Sequence, residues 1–206
     1  MTGRPGNWQV TPRAAELLQE VPETLKGLLL ARFDRLSEEL RRTLQKAAVL
    51  GRSFPVSLLL SLNGTKPEVL ARQLDELADR QFLVVEACGP EPSYAFRHAL
   101  IREAVYGTML NRQRQALHEA AARAVECSTF WPPDEQTEVL AYHYAQSTDP
   151  SRAVPFLMTA AGNAAQRSAN PQGASGSESA LQYFRRAIAL MQGQPVGGPV
   201  ACAAPA

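Results

Sequence analysis

The feature that most constrains the fold is a pair of short strand-like runs placed after a series of helical patterns. Phe82-Leu83-Val84-Val85 is apolar and β-branched, and Ser93-Tyr94-Ala95-Phe96 alternates polar and aromatic residues. Between them, Cys88-Gly89-Pro90-Glu91-Pro92 cannot continue a ladder and favours a turn. The two runs therefore predict a β-hairpin.

Upstream of the hairpin the pattern is helical. Leu25, Leu29, Phe33 and Leu36 recur at helical spacing, and Leu40, Leu44 and Ala47 or Ala48 continue it. Ser37 reads as a cap that restarts the helix, and Gly51 as its end. A short helix is expected to follow Pro55 and to end at Asn63-Gly64. Lys66 or Pro67 opens the next, with Leu70, Leu74, Leu77 and Ala78 on one face. Helices followed by one hairpin give the order of a winged-helix domain, expected over 22–98. A short helical stretch around Ala14 to Leu18 precedes it, within a separate 1–21 segment.

Beyond His98 the chain reads as mainly helical. Ala99 to Leu110 and Arg112 to Val125 have apolar faces (Ile101, Val105 and Met109, then Leu117, Ala121 and Val125) and form a connector over 99–130. Trp131-Pro132-Pro133 is expected to end that pair. Glu138 to Gln146 and Ala153 to Ser168 read as an antiparallel helical pair separated by Asp149-Pro150, a cap followed by a first-turn proline. Asn170 to Ser179 is Gly/Ser-rich and expected to be mobile, and Ala180 to Met191 is a final helix. Residues 131–192 are thus expected to form an incomplete tetratricopeptide-like arm, with 193–206 as a disordered tail. The fold class expected is mainly α, with one β-hairpin.

Composition narrows the function classes. Lys plus Arg number 21 against 20 Asp plus Glu, a formal charge of +1, without the basic excess that phosphate neutralisation demands of a nucleic-acid binder. The predicted third helix carries Glu68, Asp75, Glu76 and Asp79 against only Arg72 and Arg80, a further argument against duplex recognition. Cys88, Cys127 and Cys202 are widely spaced and odd in number, which fits reduced thiols better than a disulfide framework. His98, His118 and His143 are too dispersed to predict a metal site. No apolar run approaches the roughly 20 residues of a membrane span, and a cytoplasmic protein is expected.

Three blocks bring a resemblance. VPETLKGLLLARFDRLSEELRRTLQKAAVL from Val21, continuing into GRSF, resembles the segment after the nucleotide-binding core of STAND-type (AAA/NB-ARC-like) signalling ATPases. YAFRHALIREAVYGTMLNRQRQALHEAAA from Tyr94, and VLAYHYAQSTDPSRAVPFLMTAAGNAA, resemble later segments of bacterial adenylyl cyclase-associated or LuxR/MalT-type multidomain regulators. In that family the winged helix presents a histidine, often in a Met-His-Asp motif, to the β-phosphate of bound ADP. Phe96-Arg97-His98-Ala99 stands at the corresponding place, with Ala99 where the acidic residue would be. The resemblance thus nominates His98, with Arg97 and Arg102, as phosphate-sensing residues acting in cis, and makes 1–21 the remnant of a preceding ATPase lid or a linker.

The sequence contains no GxxxxGK[ST] loop and no apolar strand ending in a Walker-B aspartate. The chain is therefore expected to be non-enzymatic and to hold no cofactor itself. ATP or ADP belongs to an ATPase core elsewhere, and that core, in cis or in trans, is the expected partner. The helical arm is expected to contact proteins. Two other readings compete: a free-standing winged-helix DNA-binding regulator, and a fragment of a parent with ATPase or adenylyl cyclase activity.

Overall fold

The structure is a computed structural model that describes residues 23–86, 91–128, 131–168 and 174–192. The expectations for residues 1–21, for Cys88 to Pro90 of the turn, for 170–173 and for the 193–206 tail lie outside the described residues. Within them the chain is mainly helical, with one small antiparallel sheet.

The first body begins with α1 (Glu23–Asp34) and α2 (Glu38–Leu50). Ser37 caps α2 as expected, its hydroxyl accepting from the backbone N–H of Leu40 at 3.4 Å. Helical spacing then turns Leu40, Leu44, Ala47 and Ala48 to one buried face. Strand β1 (Ser53–Pro55) leads directly into α3 (Val56–Asn63), which ends on Gly64 in the left-handed conformation, φ 64°. A β-carbon is disfavoured at that φ, which explains the glycine. Pro67 opens α4 (Pro67–Asp79) at a position whose missing N–H costs nothing. The chain leaves α4 through Gln81 at φ 62°, with Phe82 N–H donating to Leu77 O and Gln81 N–H to Ala78 O. These two bonds satisfy carbonyls that the helix end would otherwise leave free.

Strands β2 (Leu83–Glu86) and β3 (Ser93–Phe96) form the predicted antiparallel pair, Leu83 opposite Phe96. The sequence reading of the sheet as a single hairpin is incomplete: β1 pairs with the other side of β3, giving the order β1-β3-β2. β1 is only three residues long and ends in proline, so it carries no periodicity to read. An edge position tolerates that proline.

Helices α2 to α4 and the sheet enclose one core in which Leu44, Leu59, Leu70, Leu74, Leu77 and Phe96 are buried. Ile101 and Val105 from α5 (Ala99–Gly107) join it, so this core runs past residue 98. A partly buried polar knot ties the helices together. Thr43 Oγ1 donates to Gln73 Oε1 at 2.9 Å, Asn63 Nδ2 donates to Thr43 Oγ1 at 3.1 Å, and Lys46 Nζ donates to Asn63 Oδ1 at 2.9 Å.

The second body is a stack of helices: α6 (Asn111–Glu126), α7 (Pro133–Ala145), a 3-10 turn (Pro150–Ala153), α8 (Val154–Ser168) and α9 (Ala174–Met191). Two expectations are corrected here. Trp131-Pro132-Pro133 does not merely end a helical pair, because Pro133 is the first residue of α7, five residues before the expected start at Glu138. The Gly/Ser-rich stretch is helical from Ala174 onward, since α9 packs along α8 and tertiary contact overrides weak local propensity. Asp149 caps the 3-10 turn as expected, its carboxylate accepting from Ser151 N–H. Pro155 lies in the first turn of α8, where its missing donor is tolerated. The core here combines Val125, Leu140, Tyr144 and Leu157 with a series of alanines, and rests on Leu58 of α3. Helix α3 thus serves both cores, Leu59 in the first and Leu58 in the second. No described helix is long and apolar enough to cross a membrane.

Candidate functional site

The three nominated residues surround the junction of β3 and α5. His98 is the N-cap of α5, in extended backbone (φ −141°, ψ 140°), and its side chain makes no capping bond. The first turn of α5 contains no acidic residue to offset the positive end of the helix dipole. Arg97 and His98 are both exposed. Their side chains make no hydrogen bond or ion pair with the described residues.

Sheet pairing adds a residue that the sequence reading did not nominate. The backbone carbonyl of Arg52 accepts from Phe96 N–H at 2.8 Å, which sets exposed Arg52 one register step from Arg97. Nothing in the local sequence signals this proximity, because it depends on β1 pairing with β3. Arg97 and His98 at the start of α5 present donors and positive charge to solvent, an arrangement suited to an anionic group, and Arg52 adds a cation at the same end of the sheet.

Arg102 is placed differently. Its Nε donates to the carbonyl of Ala48 at 3.0 Å in the last turn of α2, and its guanidinium lies 5.8 Å from the Tyr106 ring centre. A cation at a helix C-terminus is favourable, so this arginine joins α5 to α2. Of the nominated trio, the structure keeps Arg97 and His98 at the exposed corner and engages Arg102 behind it.

Behind Arg102, two histidines that are well separated in the sequence come together. His118 on α6 and His143 on α7 are both buried, at 0% and 1% exposure, and their Nδ1 atoms are 2.9 Å apart. On its other side, His118 Nε2 lies 2.9 Å from Tyr106 Oη. Tyr142 packs edge-on against both rings, and the Arg114 guanidinium stands 5.1 Å from the Tyr106 ring centre. Burial pushes His118 down to about 2, helped by His143, Arg102 and Arg114, and pushes His143 down to about 3, helped by Arg102. Both rings are therefore neutral near pH 7.

A neutral pair satisfies this chain of contacts in one of two ways. Tyr106 O–H donates to His118 Nε2 while His118 Nδ1–H donates to His143, or both donors reverse. The sequence separation of 25 residues hides the pairing. The available hint is that each histidine sits on a buried helical face, His118 with Ala121 and Ala122 and His143 with Leu140 and Tyr144. Among the described residues no group of three or more His, Cys, Asp or Glu is placed to hold a metal ion. Cys127, the one described cysteine, is free and exposed.

No protein-family model matches the chain. Over 145 residues the chain is 30% identical to an uncharacterized protein of Rhizobium meliloti (strain 1021). The aligned stretch covers 70% of this chain but 14% of that much longer relative.

Proposed function

We propose that the chain is the regulatory segment that follows the nucleotide-binding core in a STAND-type signalling ATPase: a winged-helix switch joined to a tetratricopeptide-like helical arm. The observation that carries this reading is the arrangement around β3. Helices α2, α3 and α4 interleave with a β1-β3-β2 sheet in winged-helix order, and the chain leaves β3 directly into exposed Arg97 and His98. The much greater length of the Rhizobium relative is consistent with a segment of a multidomain protein.

In this reading His98 donates an imidazole N–H to the β-phosphate of ADP held by the ATPase core, and Arg97 adds positive charge beside it. Arg102 supports the corner from behind through Ala48. The contact favours the ADP-bound, closed arrangement. Exchange of nucleotide removes it and frees the arm to engage a protein partner or an output domain. The chain supplies no catalytic group in this scheme.

The DNA-binding alternative requires α4 to face duplex phosphate. Glu68, Asp75, Glu76 and Asp79 are all exposed on that helix, and Arg80 is already paired with Glu76 at 2.8 Å. That face repels a polyanion.

Two measurements test the proposal. In the parent protein that carries the ATPase core, His98→Ala is expected to speed ADP release by about tenfold or more, the loss of one charge-assisted hydrogen bond. An unchanged release rate would remove His98 from the site. A mobility shift of the chain with random duplex DNA should give no salt-sensitive complex at micromolar protein, and such a complex would favour the DNA-binding alternative.

A further inference from the structure

The buried His118–His143 contact lies where the second body begins. Tyr106 approaches from α5, His118 and Arg114 from α6, and Tyr142 and His143 from α7. We propose that the histidine pair is an acid-released latch that holds α7, with the α8–α9 hairpin built on it, against α5 and α6.

The geometry sets how many protons the latch tolerates. With both rings neutral, one Nδ1–H points at the other Nδ1 lone pair, and each of the two contacts in the Tyr106–His118–His143 chain sets one donor against one acceptor. One added proton still leaves a donor facing an acceptor at the 2.9 Å contact. It also places a charge among groups that cannot balance it. The charged side chains whose fields reach the pair, Arg102 from α5 and Arg114 from α6, are cations, and the hydroxyls of Tyr106 and Tyr142 are neutral. The adjacent carboxylate, Glu119, is turned to Thr148, Arg123 and Arg152. A second proton sets two N–H donors against each other at 2.9 Å, which the closed form cannot hold. The open form has neither restriction, since each ring then meets water and titrates near its ordinary 6.5.

The direction of the linkage follows. Both histidines are depressed in the closed form, so the stabilisation of that form is fully present above about pH 6.5 and declines as pH falls toward the closed-form values. If the open form gains both protons and the closed form neither, the opening constant rises about 100-fold from pH 7.5 to 5.5. A latch with one titrating histidine rises about tenfold over the same interval.

That stoichiometry is the test. Amide hydrogen exchange of the whole chain, corrected for intrinsic rates, is compared at pH 7.5 and pH 5.5. Amides of α7 are expected to lose about 100-fold protection while those of α2 and α4 keep theirs. The loss should shrink to about tenfold in His118→Gln and vanish in the His118→Gln/His143→Gln double variant. Unchanged α7 protection in the wild type, an equal loss in α2, α4 and α7, or a full 100-fold loss in the double variant would each overturn the latch. Should the variants not fold, nitrogen NMR of the wild-type rings decides the matter. Charged imidazole signals from this pair should grow only in step with α7 opening. A smooth titration of either ring with α7 still protected refutes the proposal.

Discussion

The two bodies of this chain are held together in different ways. Around the sheet the core is made of large side chains, with Leu44, Leu59, Leu70, Leu74, Leu77 and Phe96 almost wholly removed from water. Each such leucine contributes roughly 1.5–3 kcal/mol. Along α7, α8 and α9 many buried positions are alanines, including Ala141, Ala160, Ala161, Ala164 and Ala187. An alanine contributes little area but lets helix backbones approach closely. Polar joints then fix the register: the histidine pair, and Tyr144 between Glu126 and Arg152. Volume stabilises the first body and fit stabilises the second. The second is accordingly the part that a modest change in conditions can release.

Substitutions that change side-chain size should separate the two mechanisms, and the largest effect is expected in the first body. Leu74→Ala deletes a fully buried side chain from the middle of α4 and should cost about 2–5 kcal/mol in denaturant unfolding. Because Leu58 of α3 also floors the second core, the arm should lose protection together with the sheet. An arm that unfolded in a separate transition, unmoved by Leu74→Ala, would break the idea that the second body leans on the first.

The reverse experiment belongs in the arm. Ala187 of α9 is fully buried in the second core, within the close α8–α9 pair. Ala187→Leu inserts three carbons where the backbones have no room, and should cost about 1–3 kcal/mol by overpacking. Hydrogen exchange should localise that loss to α8 and α9 and leave α2 and α4 unchanged. A gain in stability would show that the arm is underfilled, and the contrast between volume and fit would fail.

What could be read in the sequence follows the same division. In the first body the local signals are strong: Ser37 as a cap, Gly64 and Pro67 as helix boundaries, and the two strands of the antiparallel pair all stand where the residues place them. β1 was invisible because three residues ending in proline become a strand only when β3 offers an edge. In the arm, local signals misled twice. Pro133 reads as a stop yet opens α7, and the small residues from Ala174 read as mobile yet form the first turns of α9. Alanine-based packing leaves no large periodic side chains to mark a face. The candidate site divides likewise. His98 is named on a resemblance and stands exposed at the start of α5, whereas the contact of His118 with His143 and the pairing of Arg52 with Phe96 are products of tertiary structure.

The smallest of these effects tests whether the polar joints of the arm carry register or bulk stability. Tyr144 is buried and lies nearly parallel to Phe156, with ring centres 5.5 Å apart. Its hydroxyl donates to Glu126 Oε1 at 2.6 Å and accepts from Arg152 at 2.8 Å. Burial, and then the bond to Glu126, push that hydroxyl up to about 12, so it remains a donor throughout the neutral range. Tyr144→Phe keeps the ring, its stacking and its burial, and removes only the two hydrogen bonds. Glu126 and Arg152 are exposed enough to turn to water, so no buried charge is stranded and the cost should be about 1 kcal/mol. That loss should appear in α7 and the 3-10 turn and be absent from α2 and α4. It should also be the same at pH 7.5 and 5.5, since neither pH approaches the titration of the tyrosine. A Tyr144→Phe arm that opened with acid more steeply than the wild type would mean that Tyr144, and not only the histidine pair, is part of the pH-sensitive joint.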